Sequence, residues 1–77
     1  MIVSVDSRTV TRPDETVFYA LRGQNNDGHD YVKALYDRGV RHFVLSERRP
    51  GTEYLQDASV QYVDDTLEAL QSAAARH

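Results

Sequence analysis

The sequence predicts an α/β fold: a small sheet of about four strands with two main helices. Three observations carry this. Short runs of β-branched and aromatic residues recur along the chain, at Ile2 to Val5, Thr16 to Leu21, His42 to Leu45 and Val60 to Val63. Two stretches, after Asp27 and after Asp65, place a capping acid ahead of apolar residues at helical spacing. The resulting order is strand, strand, helix, strand, strand, helix. Strand–helix–strand units of roughly 25 residues favour a sheet built with right-handed crossovers.

Each element has its local reason. Ile2 to Val5 is rich in β-branched types and leads into Asp6-Ser7-Arg8, so a short first strand should end at Asp6. Pro13 and two acids make Thr11 to Glu15 a turn. Thr16-Val17-Phe18-Tyr19-Ala20-Leu21 is apolar almost throughout, as a central strand covered on both faces would be. Gly23 to Gly28 is a polar loop. Asp27 should cap the first helix, with Asp30 completing a capping-box-like pair, and Tyr31, Val32, Leu35 and Tyr36 form its apolar stripe. Gly39 stands where a left-handed residue is wanted, and Val40 can fold back on Leu35. His42 to Leu45 reads as a buried strand. Glu47 to Ser59, with Pro50-Gly51, is a long connection holding one helical turn near Tyr54. Val60 to Val63 is the last strand. Asp65 and Glu68 cap the final helix, whose buried face should carry Leu67, Leu70 and Ala74. That helix meets no Gly or Pro stop, which suggests a domain cut from a longer chain.

Composition narrows the function classes. The 77 residues make one domain, 1–77. Leu, Ile, Val and Phe account for eighteen of the 77, just above the composition of disordered chains, so the core must be thin. With no cysteine there is no disulfide and no thiolate metal site. No apolar run approaches the ~20 residues that cross a bilayer, and the N-terminus has no signal-peptide pattern. The expectation is a cytoplasmic domain without membrane insertion. A net charge of −3 argues against nucleic acid as a partner. The charge is unevenly spread: residues 1–50 carry eight basic and seven acidic groups, and residues 51–77 one and five. All the cations but Lys33 are arginines, whose forked donors suit phosphate and carboxylate. An anionic small ligand would therefore sit on the first half.

Most catalytic signatures are missing. There is no G-x-x-x-x-G-K-[ST] phosphate loop and no G-x-G-x-x-G. His29, His42 and His77 lie at no metal-ligand spacing, and the stretch from Gly23 to Ala34 lacks the terminal carboxylates of a calcium loop. No metal site, no cofactor and no catalytic residue is expected in this domain. Asp64-Asp65 reads as a helix cap rather than a catalytic pair. One constellation is more specific. Ser7 and Arg8 follow the first strand, and Gln24, Asn25 and Asn26 follow the second, ahead of a helix start. If the two strands are neighbours, both loops line one crevice at the sheet's C-terminal edge. A hydroxyl, a guanidinium, amide side chains and free helix amides would suit a nucleoside diphosphate. The same residues also serve as ordinary turns and caps, and spacing alone leaves both readings open.

Asp6-Ser7-Arg8-Thr9-Val10, the strand ending Ala20-Leu21-Arg22-Gly23, and Asn26-Asp27-Gly28-His29-Asp30-Tyr31 together resemble the N-terminal domain of the Mur ligases. These are the enzymes that extend the peptidoglycan stem peptide. Leu35-Tyr36-Asp37-Arg38-Gly39-Val40-Arg41-His42-Phe43-Val44 also fits, most like the ligases adding D-alanyl-D-alanine in the version fused to an alanine racemase. The resemblance runs from about Val3 to Ala75. It implies a domain that binds the UDP-N-acetylmuramoyl-peptide and is inactive alone, with ATP and magnesium used in a central domain absent here. Ser7 and Arg8 would lie near the diphosphate, and Gln24, Asn25 and Asn26 near uracil and ribose. Asp27, Gly28 and His29 would shape the loop more than touch ligand. The alternative is a stand-alone interaction or regulatory module of the same fold.

Overall fold

The computed structural model describes residues 2–23, 27–48 and 53–75. Four strands form one sheet in the order β1 (Ile2–Ser4), β2 (Thr16–Tyr19), β3 (His42–Leu45) and β4 (Ser59–Tyr62). All three pairings are parallel, with Val3 opposite Val17, Phe18 opposite Phe43 and Val44 opposite Gln61. The two helices are α1 (Val32–Arg38) and α2 (Thr66–Ala75). Four short 3-10 turns complete the fold, at Ser7–Thr9, Pro13–Glu15, Gly28–Tyr31 and Glu53–Asp57. The expected α/β class is therefore present.

Consecutive parallel strands need a crossover each, and with one handedness all crossovers fall on one face. The core shows this. Val10 from the first connection, Leu35 and Val40 from the second and Leu55 from the third share one cluster with Phe18 and Phe43. The two phenylalanine rings meet edge to face at 6.4 Å, at the register position where β2 and β3 pair. A second tie joins the third connection to α1. Tyr36 donates its hydroxyl to Asp57 at 2.5 Å, and the Arg41 guanidinium stacks 3.8 Å from the Tyr36 ring.

The opposite face is covered by α2. Tyr19, Val44 and Gln61, neighbours across three strands, share a hollow with Ala69, Ser72 and Ala73. The expected stripe on this helix was Leu67, Leu70 and Ala74. Leu67 is instead 50% exposed, while Thr66 is buried and Ala69, Leu70 and Ala73 are half-buried. The side chain of Ala74 lies outside the described residues. The rotation has a physical cause: small residues let the helix lie close on the sheet, so the alanines face inward. Asp65 accepts a hydrogen bond from the Glu68 N–H at 3.1 Å, as the capping pattern predicts.

The first helix departs from expectation in a similar way. It begins with the 3-10 turn Gly28–Tyr31, and Tyr31, expected in the buried stripe, is exposed. Its C-terminus follows the sequence closely. Gly39 takes φ 117°, and its N–H together with that of Val40 closes on the carbonyl of Leu35.

The two leucines separate packing from exposure. Leu35→Ala should cost about 2–5 kcal/mol, because Leu35 is wholly buried. Leu67→Ala should stay within about 0.5 kcal/mol of the parent. Urea unfolding of both variants measures the difference, and comparable losses would contradict the helix rotation.

Candidate functional site

The crevice foreseen at the C-terminal ends of the first two strands is present. Because β1 and β2 pair directly, the segments leaving them stand side by side. A cleft of about 370 Å³ lies there, lined by Val5, Asp6, Ser7, Arg8, Leu21, Gly28 and Tyr31. Ser7 and Arg8 are where the sequence placed them. Gln24, Asn25 and Asn26 lie outside the described residues. Leu21 and Tyr31 were not singled out as lining residues, whereas Gly28 was expected to shape the loop there. Tyr31 reaches the cleft because the 3-10 turn rotates it off the helix stripe.

The turn bearing Ser7 and Arg8 is organised by Asp6. The Asp6 carboxylate accepts the Arg8 backbone N–H at 2.9 Å and the Arg8 side chain at 3.2 and 3.0 Å. Ser4 donates its hydroxyl to the Asp6 carbonyl at 3.0 Å. The Arg8 side chain is 88% exposed, so this fork aligns the guanidinium more than it stabilises the fold. Nε and Nη2 of Arg8 are committed to Asp6, and among the described residues Nη1 meets no acceptor. The hydrogen bonds from the Arg8 side chain and backbone hold the Asp6 carboxyl below its usual range, and Asp6 in turn raises the Arg8 guanidinium.

The floor is set by a close approach. Gly28 donates its N–H to the Leu21 carbonyl at 2.7 Å. A Cβ at Gly28 would stand 2.8 Å from Ala20 Cα and 2.9 Å from Leu21 N, so any larger residue must displace the end of β2.

The free helix amides expected here are not free. The Gly28 N–H is held by Leu21, the His29 N–H by the Asp27 carboxylate at 3.0 Å, and the Asp30 N–H by the Asp27 carbonyl. Asp27 caps the turn and, together with the Leu21 carbonyl, takes up these donors. The anion-binding capacity among the described lining residues therefore rests on Ser7 and Arg8.

Beside the cleft lies a polar cluster that sequence spacing did not reveal. Asp27, His29 and Glu47 bring one potential metal-ligand atom each to within 4.8 Å of the others. The geometry nevertheless fits a clasp. His29 Nε2 accepts the Ser46 backbone N–H at 3.0 Å, so the ring proton is on Nδ1, donated to Asp27 at 2.6 Å. A metal on Nδ1 would force that proton onto Nε2, facing the Ser46 N–H. Arg22 already bridges the carboxylates, at 3.3 Å from Asp27 and 2.6 Å from Glu47. Glu47 and then Asp27 raise the Arg22 guanidinium. The clasp ties the loop after β2 to the end of β3. Glu47 carries no local motif and becomes recognisable only once β2 and β3 are neighbours.

The fold is thus a small parallel α/β domain with an arginine-bearing crevice outside its strand ends. The chain belongs to the Mur ligase family, whose profile, described as "Mur ligase family, catalytic domain", matches residues 1–77. It is similar to the UDP-N-acetylmuramoyl-L-alanyl-D-glutamate–2,6-diaminopimelate ligase of Rickettsia felis, at 34% identity over 92% of this chain and 12% of that protein. The corresponding ligase of Chlorobium phaeobacteroides is 37% identical over 95% of this chain and 14% of that protein. The UDP-N-acetylmuramoyl-tripeptide–D-alanyl-D-alanine ligase of Treponema pallidum is 37% identical over 94% of this chain and 17% of that protein. The chain thus spans between 12% and 17% of the length of these relatives. No solved structure matches the chain. Among the described residues no helix is long and apolar enough to cross a membrane.

The lowered Asp6 carboxyl has a definite sign. A group whose folded pKa is depressed contributes above its unfolded value and loses that contribution as pH falls through the folded one. The Arg8 backbone amide resonance should therefore titrate with a midpoint below about 3.9, the usual Asp value. A midpoint at or above that value would show that the Asp6–Arg8 fork does not form in solution.

Proposed function

We propose that the chain is the UDP-N-acetylmuramoyl-peptide-binding domain of a cytoplasmic, ATP-dependent ligase of peptidoglycan precursor synthesis. The observation that carries this reading is the crevice itself. Asp6 aligns the exposed Arg8 guanidinium, and Ser7, Leu21 and Gly28 line the same cleft. A guanidinium aligned by a neighbouring carboxylate can grip a diphosphate without first being ordered. Gln24, Asn25 and Asn26 would supply amide groups for the uracil and ribose. ATP, magnesium and the acyl-phosphate chemistry belong, in this reading, to a central domain outside these 77 residues.

UDP titrated into the chain should move the amide resonances of Ser7, Arg8 and Gly28, and Arg8→Ala should weaken UDP about tenfold, the worth of one charge-assisted hydrogen bond. Saturating UDP that moves none of these signals would remove the reading.

Within the family, the finer assignment is the ligase that adds D-alanyl-D-alanine. It is supported by the Leu35 to Val44 stretch and by the Treponema pallidum relative. The relatives from Rickettsia felis and Chlorobium phaeobacteroides are diaminopimelate ligases of comparable identity, so acceptor choice is the discriminating property. A ligase carrying this domain should consume D-alanyl-D-alanine with UDP-N-acetylmuramoyl-tripeptide. Amide formation from the dipeptide substrate with diaminopimelate instead would assign it to the preceding step.

A further inference from the structure

Outside the crevice, one side chain reaches across the fold to the turn that carries Ser7 and Arg8. Arg38, the last residue of α1, donates from Nη1 to the Ser7 carbonyl at 2.9 Å and from Nη2 to the Val10 carbonyl at 2.6 Å. It does not line the cleft. The ties that Asp6 and Ser4 make within the turn are local. Asp6 holds Arg8 two residues away, and Ser4 holds the Asp6 carbonyl two residues away. Such contacts set the turn's shape, but not its place relative to the rest of the sheet. Val10, buried in the core, fixes where the segment ends. Arg38 fixes where it begins, from a helix end that Gly39 stops at a defined point.

We infer that Arg38 is a positioning residue for the anion side of the crevice: by forking onto the Ser7 and Val10 carbonyls it holds the Ser7–Arg8 turn where a diphosphate meets it. The inference rests on the UDP-binding reading above. Two features of the geometry favour it over a generic surface contact. Both acceptors are backbone carbonyls of the segment bearing the ligand-binding pair, so the guanidinium constrains the main chain rather than another mobile side chain. The fork also needs two divergent N–H groups at fixed separation, which arginine supplies and lysine does not. Lys33 on the same helix is a useful contrast, since its ion pair with Asp37 lies on the exposed helix surface.

The test is a comparison of UDP and uridine binding, followed by amide resonances well below the melting temperature of each variant. Arg38→Gln should weaken UDP about tenfold, the scale of hydrogen bonds from a charged donor, while uridine changes less than about twofold. The ratio of the two affinities should fall with it. Arg38→Lys, which keeps the charge at the helix end and can serve one carbonyl, should lie between. It carries the test should Arg38→Gln fail to fold. Lys33→Gln should leave both affinities unchanged. A merely structural role would lower the melting temperature and shift UDP and uridine equally, or neither. Either result with UDP binding to the parent chain overturns the role of Arg38 alone. Absence of UDP binding to the parent overturns the UDP reading and this inference with it.

Discussion

The arrangement depends first on a contact that only glycine permits. Gly28 lies against the backbone of Ala20 and Leu21, with no room for a Cβ and with its N–H bonded to the Leu21 carbonyl. That contact returns the chain from the end of β2 directly onto the sheet. It starts α1 over the same face as Phe18 and Phe43, and it makes Gly28 and Leu21 the floor of the crevice. A residue with a side chain there would lift the loop, and the crevice and the start of α1 would move together.

Polar contacts then fix the two sides of the crevice. On the β2 side, His29 is used fully. One ring nitrogen donates to Asp27, the other accepts from Ser46, and Arg22 bridges the carboxylates of Asp27 and Glu47 beside it. On the β1 side, Asp6 aligns Arg8 and Arg38 anchors the main chain beneath. The arginine-rich first half therefore divides by task. Arg22 and Arg38 are internal fasteners, while Arg8, aligned by Asp6, stands exposed at the crevice. Charge counting along the sequence treats these three as alike, because a count carries no partners.

Capping shows the same division. Asp65 caps α2 and Asp27 caps the 3-10 turn that leads into α1, since a carboxylate ahead of an apolar stretch is a local pattern with a local cause. The Asp27 cap and the Leu21 carbonyl also take up the amide donors on which anion binding at that helix had been expected to rely. One residue serving the fold and the ligand cannot give the same N–H groups to both. The faces of the helices were less legible than their starts. Leu67 and Tyr31 are apolar at helical spacing, yet both are exposed. The small size of Ala69 and Ala73 and the 3-10 start of α1 decide which side faces the sheet, and hydrophobicity at fixed spacing registers neither.

What the residues alone determined are the elements and their punctuation: four strands, two helices each with a capping acid upstream, the glycine stop at Gly39, and Ser7 and Arg8 placed beyond a strand. These follow from interactions among residues a few positions apart, which a linear reading contains. The tertiary structure decided what depends on distant segments meeting. It placed Glu47 and Ser46 on His29, Arg38 on the Ser7 and Val10 carbonyls, and Tyr31 in the crevice wall. Each of those contacts exists only because β1, β2 and β3 lie side by side, and no local pattern encodes which side chain a neighbouring strand will bring within reach.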